Sequence, residues 1–454
     1  MTAVSPSAGG SPSQTSPTSA PSEPSAVSEP AAPSEPTTAH AAALPGGPVG
    51  APAADPALEG LVERSGLTRV HFLAWRDLAD PEAGGSEVHA DKVAAAWAAA
   101  GLDVTMRTAA AAGQRTYGKR NGYSVVRKAG RYSVFPRTAV SGALGRTGPR
   151  DGLVEIWNGM PFLSPLWAHC PRIVFLHHVH AEMWRMVLPP HLARVGEAME
   201  FRLAPPLYKR TQIVTLSESS REEIHELLGL PLENVHVVPP GIDPAYSPAP
   251  GPDGRPGPAG SGKSERPLVV AVGRLVPVKR VDRLIDALLA AKRRVPALEA
   301  TIVGEGYERE ALEAQIRAAG AEDWLTLPGR VSDAELVALY RRAWLVTSAS
   351  AREGWGMTLT EAAACGTPSV VTDIAGHRDA VARDLSGLLV PEPPDLAGTI
   401  VDVLTDEALR RRLTEGALTH AARFTWNATA RDTLAVLADE AERRRARGRG
   451  SWRS

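Results

Sequence analysis

Cysteine is nearly missing from this chain of 454 residues, with Cys170 and Cys365 its only two. A disulfide framework is therefore not expected, and a reducing cytoplasm suits both thiols. Long apolar runs are also missing. No stretch reaches the ~18 apolar residues that argue a membrane-spanning helix, so none is expected. Neither sign of charge dominates, at a formal net charge of -1 with 22% charged residues, which argues against a nucleic-acid partner and against disorder of the whole chain. No Lys, Arg or aromatic residue precedes Arg64 and Phe72. Residues 1–64 are mostly Ser, Pro, Ala, Thr and Gly, the composition of a disordered tail. Prolines interrupt every apolar stretch in it, which argues against a secretory signal.

From Thr68 the pattern turns to apolar strand candidates separated by amphipathic helical stretches, the mark of parallel α/β layers. Strands are expected at Val70 to Ala74, Val104 to Arg107, Val154 to Trp157, Ile173 to Leu176, Ile213 to Leu216 and Val235 to Val238. Helices fit at Glu87 to Ala100 and at Ser219 to Leu228, the latter capped by Ser217 or Ser219. This is one Rossmann-like domain, over 65–240. A second series runs through Leu268 to Val272, Ala300 to Val303, Leu325 to Leu327, Trp344 to Val346 and Ser369 to Thr372, giving a second such domain over 267–423. Between them, residues 241–266 are too rich in Pro and Gly for a regular element and form a linker, with the ligand cleft expected beneath it. A last helix, Asn427 to Arg445 within 424–446, precedes a basic tail at 447–454.

Gly257-Pro-Ala-Gly-Ser-Gly262-Lys263-Ser264 satisfies the Walker A spacing. Its context does not. A phosphate loop follows a buried strand and opens a helix, whereas this string follows Pro-rich linker and leads into a strand. Gly304 and Gly306 lack the third Gly of a dinucleotide fingerprint and read as a turn after a strand.

The densest chemistry lies in Ala351-Arg-Glu353-Gly354-Trp355-Gly356-Met357-Thr358-Leu-Thr-Glu361-Ala-Ala-Ala-Cys-Gly-Thr-Pro. Glu353 falls in the loop after an apolar strand, and Glu361 falls within a helix that starts near Met357. A helix start offers unpaired N–H groups and partial positive charge to a diphosphate, and the glycines let it approach the main chain. Two carboxylates also suggest a glycosidase acid/base pair, but the alternating strands and helices favour a nucleotide-binding sheet.

This Glu-x7-Glu segment closely resembles the signature of the retaining GT-B glycosyltransferases, of the group 1 or family 4-like type. The resemblance implies a GT-B fold, an α/β architecture of two Rossmann-like domains facing a cleft, and covers about Thr68 to Arg445. It implies that Glu353 holds hydroxyls of the donor sugar, that Glu361 holds the ribose, and that the Met357 and Thr358 amides contact the diphosphate. Arg274 and Lys279, in Val272-Gly-Arg-Leu-Val-Pro-Val-Lys279, occupy the positions of the family's diphosphate-binding Arg and Lys. Fixed cations there act most strongly as the leaving diphosphate gains charge. Arg330 and Val331, after Gly329, correspond to the base-contacting loop, and Gly84 and Gly85 to the glycine loop reaching the donor from the opposite wall. His177, in Phe-Leu-His177-His178-Val-His180, corresponds best to the family's active-site His.

Three histidines near Glu182 also suggest a metal cluster, but the adjacent pair points different ways and the family needs no metal. No Asp-x-Asp, the cation-holding motif of the other major glycosyltransferase fold, occurs in the chain. The expected activity is transfer of a sugar from a UDP- or GDP-sugar to an acceptor hydroxyl, with the nucleotide sugar as co-substrate and neither cofactor nor metal. Donor binds mainly the second domain and acceptor the first, and the C-terminal helix crosses back to the first. Alternatives are a sugar-nucleotide epimerase or phosphorylase of the same plan, or a non-catalytic nucleotide-sugar-binding partner. The acceptor, a sugar, lipid-linked sugar or small natural product, is not legible. Leu192, Val195, Met199 and Leu203 recur at helical spacing among Arg194, Arg202, Lys209 and Arg210, which suits a core-facing helix or a peripheral membrane contact.

Overall fold

The computed structural model describes residues 55–80, 83–111, 113–251, 255 and 257–450. The expected tail over 1–54 and the last four residues lie outside the described residues. The first sheet comprises β1 (Arg69–Leu73), β2 (Asp103–Thr108), β3 (Tyr117–Arg120), β4 (Tyr123–Arg127), β5 (Gly152–Ile156), β6 (Arg172–Phe175), β7 (Gln212–Thr215) and β8 (Val235–Val237), in spatial order β3-β4-β2-β1-β5-β6-β7-β8. Only the β3–β4 pair is antiparallel. The second sheet, wholly parallel, comprises β9 (Leu268–Val272), β10 (Glu299–Val303), β11 (Leu325–Gly329), β12 (Leu345–Ser348), β13 (Ser369–Thr372) and β14 (Gly387–Val390), in order β11-β10-β9-β12-β13-β14.

Every residue of β5, β7 and β13 is buried, as parallel strands covered on both faces require. Strand order reverses beside β1 in the first sheet and beside β9 in the second. Beyond the carboxyl ends at such reversals adjacent loops diverge, leaving a crevice. The glycine loop follows β1, the Arg274 loop follows β9, and the Glu353 loop follows its neighbour β12.

Several elements were not foreseen. α1 (Pro56–Ser65) overturns the reading of 56–64 as tail: the Asp55 carboxylate caps its first amides, Pro56 sits in its first turn and Gly66 closes it in the left-handed region. Leu58 and Leu61 join the core of the first domain, and Arg445 Nη1 donates to Ser65 O at 2.6 Å. Ten residues of favourable caps and apolar spacing thus outweigh the Pro/Ala composition around them. The β3–β4 hairpin, α3 (Val134–Ala143) and β14 also escaped the periodicity. α2 (Gly85–Ala99) and the helix Glu218–Leu228 match expectation, Ser217 Oγ accepting from Ser220 N. The last helix runs from Trp426 through Gly450, beyond the expected start of the basic tail at 447, and its Leu434, Leu437 and Ala441 pack into the first domain's core.

Residues 241–251, 255 and 257–266 contain no helix or strand. They are nonetheless docked. Asp243 pairs with Lys92 of α2 at 2.7 Å, and Tyr246 lies against Tyr340 with ring centroids 5.9 Å apart. Among the described residues, the Walker-like string has no strand directly before it and no helix directly after it. Lys263 Nζ donates to Thr367 Oγ1 at 2.6 Å, and Thr367 donates to Tyr340 O. Lys263→Met is therefore expected to lower stability by about 1 kcal/mol through the lost hydrogen bond, while nucleotide affinity stays unchanged. Thermal melts with and without nucleoside diphosphate check this, and loss of nucleotide binding would restore the ATPase reading.

Candidate active site

The Glu353 loop is assembled from both sides of β12. Ala351 N donates to Val278 O at 2.8 Å, which draws the short turn Pro277–Lys279 against the loop. Lys279 and Glu353 thereby form an ion pair, and Ser350 Oγ adds a hydrogen bond to Glu353 Oε1 at 2.9 Å. Thr372 Oγ1 fixes Ser350 O at 2.8 Å, and His377 Nδ1 lies 2.8 Å from Thr372 O. Burial pushes the Glu353 carboxyl up, but Lys279, His377 and the two hydrogen bonds outweigh it and hold the carboxyl below its ordinary range. Glu353 is a carboxylate at neutral pH. His377 and Gly376 escaped the sequence reading; a Cβ on Gly376, at φ +85°, would lie 2.5 Å from Glu353 O. A Gly-His pair in the loop after the next parallel strand was the signal available.

Helix Met357–Ala364 starts at Gly356, φ +107°, with no side-chain cap. Among the described residues no acceptor meets the Met357 or Thr358 amide. Glu361 is half-buried on the same helix, with Tyr340 OH 3.5 Å from its Oε2. Burial first, then Asp333 and Asp243, push its carboxyl up to about 7 against the Tyr340 hydrogen bond. The two carboxylates thus have separate partners and opposite shifts.

Arg274 is exposed and has no carboxylate partner among the described residues. Its loop is seated by two glycines that the sequence reading took only for a turn. A Cβ on Gly304, φ +150°, would lie 1.8 Å from Gly273 O, and one on Gly306 2.1 Å from Leu275 O. Exposed Arg330 and half-buried Val331 follow Gly329 at the end of neighbouring β11.

The opposite wall comes close. A Cβ on Gly85 would lie 3.1 Å from Met357 Sδ, so the glycine loop stands over the start of the Met357 helix. Gly84 N donates to Glu87 Oε2 at 2.7 Å, and Arg76 Nε holds Oε1 of the same buried Glu87 at 3.1 Å. Pro81 and Glu82 of this loop lie outside the described residues. The Glu353 loop also touches the first domain directly. Ser217 and Ser220 hydroxyls each donate to Gly354 O at 3.3 Å, Arg352 pairs with Glu223, and Asp379 accepts from Glu218 N at 3.1 Å.

His177 is buried with its Nε2 3.3 Å from His89 Nδ1, below the glycine loop's helix. His178 is the ring that meets the charges of the second domain: after burial, Arg352, Glu353, Arg274 and Lys279 are what set its shift, down to about 4. Its buried Nε2 has no hydrogen-bond partner, and it stacks on His180 with centroids 5.1 Å apart. Of the adjacent pair, His178 is thus the one on the side of Glu353. Sequence alone does not say which member of an adjacent pair faces a cleft. Among the described residues no group of three or more His, Cys, Asp or Glu is arranged to hold a metal ion.

Residues 258–420 match the model of Glycosyl transferases group 1, and residues 83–246 that of Glycosyltransferase Family 4. A D-inositol 3-phosphate glycosyltransferase of Xylanimonas cellulosilytica is 31% identical over 294 residues, 59% of this chain and 70% of that protein. The chain belongs to the group 1, family 4-like glycosyltransferases. Another protein of that name, from Jonesia denitrificans, is 34% identical over 49% of this chain and 56% of its own length. Of seven other curated relatives that it matches, that one included, the chain spans about half the length, 46% to 58%. Among solved structures, sucrose-phosphate synthase from Thermosynechococcus elongatus aligns with a TM-score of 0.65 and 20% identity, over 80% of this chain and 96% of that one. Anabaena HepE in complex with UDP and glucose aligns with a TM-score of 0.64 and 19% identity, over 82% of this chain and all of that one. The two-domain GT-B fold is shared with both. Within it, the glycosyltransferase motifs around Glu353, Arg274 and Gly85 meet at one place, between the ends of β1, β9 and β12.

Proposed function

We propose that this chain is a retaining glycosyltransferase that moves a sugar from a UDP- or GDP-sugar to an acceptor hydroxyl. The observation that carries this reading is the uncapped start of helix Met357–Ala364, flanked by the Glu353–Lys279 pair and faced by Gly85. Its free amides, with Arg274 and Lys279, would hold the diphosphate; Glu361 would accept from the ribose, and Glu353 would orient the sugar. The acceptor oxygen bonds to the anomeric carbon on the face from which the diphosphate departs. The bond from that carbon to the phosphate oxygen breaks, and the acceptor proton passes to that oxygen. Glu353 then opposes the positive charge developing on the sugar, while Arg274, Lys279 and the helix start oppose the negative charge on the leaving group. No divalent ion is required where these groups serve. The two unpaired thiols, Cys170 and Cys365, suit a reducing cytoplasm.

On the acceptor side, Leu192, Val195 and Leu203 are 46%, 60% and 59% exposed, which favours a lipid-linked acceptor over a small polar one. No helix of the described residues is long and apolar enough to cross a membrane.

The test is thermal stabilisation by UDP, GDP, ADP and dTDP, each with and without Mg²⁺, followed by the anomeric configuration of the transferred sugar. Ligand binding to the native state raises the melting temperature. Stabilisation by one diphosphate without Mg²⁺, and product of retained configuration, are expected. Stabilisation without turnover of any nucleotide sugar would favour the non-catalytic binding partner, and stabilisation only by ATP with Mg²⁺ would sink the reading.

A further inference from the structure

Arg107, Lys128, Arg137 and Arg146 converge on one cavity of about 580 Å³ in the first domain, lined by none of the donor-wall residues. Sheet register explains it. Arg107 of β2 pairs with Leu73 on one side and Val126 on the other, so these three side chains project to the same face. α3 covers that face over β1 and β5, where Leu73, Phe135 and Leu153 share an apolar cluster. Over β2 and β4 the gap beside α3 is lined by the four cations, with Thr108 and Thr147 and without any carboxylate.

Two other arginines of this sheet are neutralised, Arg69 by Asp151 and Arg127 by Asp77. These four have no ion-pair partner among the described residues. Arg107 gives one guanidinium nitrogen to Thr147 O, and its buried Nε has no hydrogen-bond partner. Burial, then Arg150, push the Arg107 guanidinium below its ordinary value. His71, on the same face, is pushed down to about 3, by burial first and then by Arg107, Arg150 and Arg69. A concavity of unopposed positive charge attracts anions, and its volume is within the roughly 300–1,000 Å³ of small-molecule sites. Phosphate matches it best, since several acceptor oxygens meet guanidinium forks at once.

We propose that the cavity between α3 and β2/β4 binds a phosphate-bearing ligand through Arg107, Lys128, Arg137 and Arg146. That group arrives either on a soluble sugar phosphate or on an anionic lipid headgroup; Val140 and Leu144, 59% and 58% exposed, flank the cations on the α3 side.

The test measures binding to the full chain at constant ionic strength, with glucose 6-phosphate as the soluble probe and phosphatidylcholine vesicles with or without phosphatidylglycerol as the lipid probe. K128A/R137A/R146A alters exposed positions only, and R146E serves as a second variant should the triple variant fold poorly. Binding of one probe, weakened roughly tenfold or more in the variants while stabilisation by nucleoside diphosphate persists, is expected. Binding of glucose 6-phosphate alone assigns the soluble source, and binding only to phosphatidylglycerol vesicles assigns the lipid source. Binding of neither probe, or equal binding by wild type and both variants, overturns the proposal.

Discussion

Glu353→Gln is expected to lower kcat roughly 10²–10³-fold, the scale of removing one preorganised electrostatic group, with affinity for the nucleoside diphosphate kept or raised. The second half of that expectation comes from the ion pair. Without ligand, Lys279 is held by Glu353, so a diphosphate that recruits Lys279 competes with this carboxylate. Glutamine keeps the shape and the Ser350 hydrogen bond at 2.9 Å while removing the competing charge. Lys279 then becomes available to the diphosphate at no cost in ion pairing. The sugar, in contrast, loses the anionic group that would oppose its developing positive charge. A fall in kcat with the diphosphate dissociation constant unchanged or smaller separates this role from a structural one. Equal losses in binding and turnover would mean that Glu353 merely holds the loop, because removing one partner of a half-buried pair leaves the other unpaired. Lys279→Met is the complement: diphosphate affinity falls, and Glu353, now without its closest cation, loses much of the influence that holds its carboxyl down.

Much of this arrangement was legible because it depends on local order along the chain. Glu353, Gly354, Gly356 and Glu361 are neighbours on one loop and helix, and Arg274 follows a strand whose unbroken apolar run is plain. What stayed hidden depends on approaches between distant segments. Gly304 and Gly306 read as an ordinary turn, yet their missing Cβ atoms are what admit the Arg274 loop. His377 reaches Glu353 only because β12 and β13 pair in parallel and deliver their following loops to the same end. The His177–His178 pair shows a different limit. Both follow a buried strand, and only packing of His177 against His89 leaves His178 to meet the charges around Glu353. Composition misled at α1, where Pro and Ala serve as a helix start and helix interior once Leu58 and Leu61 find the core.

Glu361→Gln is expected to change stability and nucleotide affinity in opposite directions. The Glu361 carboxyl rises from an ordinary 4.5 to about 7 on folding, so the native state favours its neutral form. That contribution is fully present below 4.5 and is lost as pH rises through about 7. Above that pH, without ligand, a carboxylate sits half-buried near Asp333 and Asp243, and glutamine in its place should raise the melting temperature, with the difference vanishing in acid. Binding follows the other sign. A ribose hydroxyl donates more strongly to a carboxylate than to an amide, by about 1–2 kcal/mol, so the variant should bind the diphosphate roughly 10-fold more weakly at alkaline pH. Wild-type affinity should also rise with pH through about 7 as Glu361 ionises. The phosphate itself ionises near pH 6, which strengthens binding to both proteins, so the informative quantity is the ratio of their affinities as a function of pH. Isothermal titration from acid to alkaline pH, beside melts of the free proteins, measures both. A pH-independent ratio would place the ribose elsewhere. A melting temperature that falls in the variant at alkaline pH would show that the Tyr340 hydrogen bond, and not burial, governs this carboxyl, and that the donor site is stabilised where it binds.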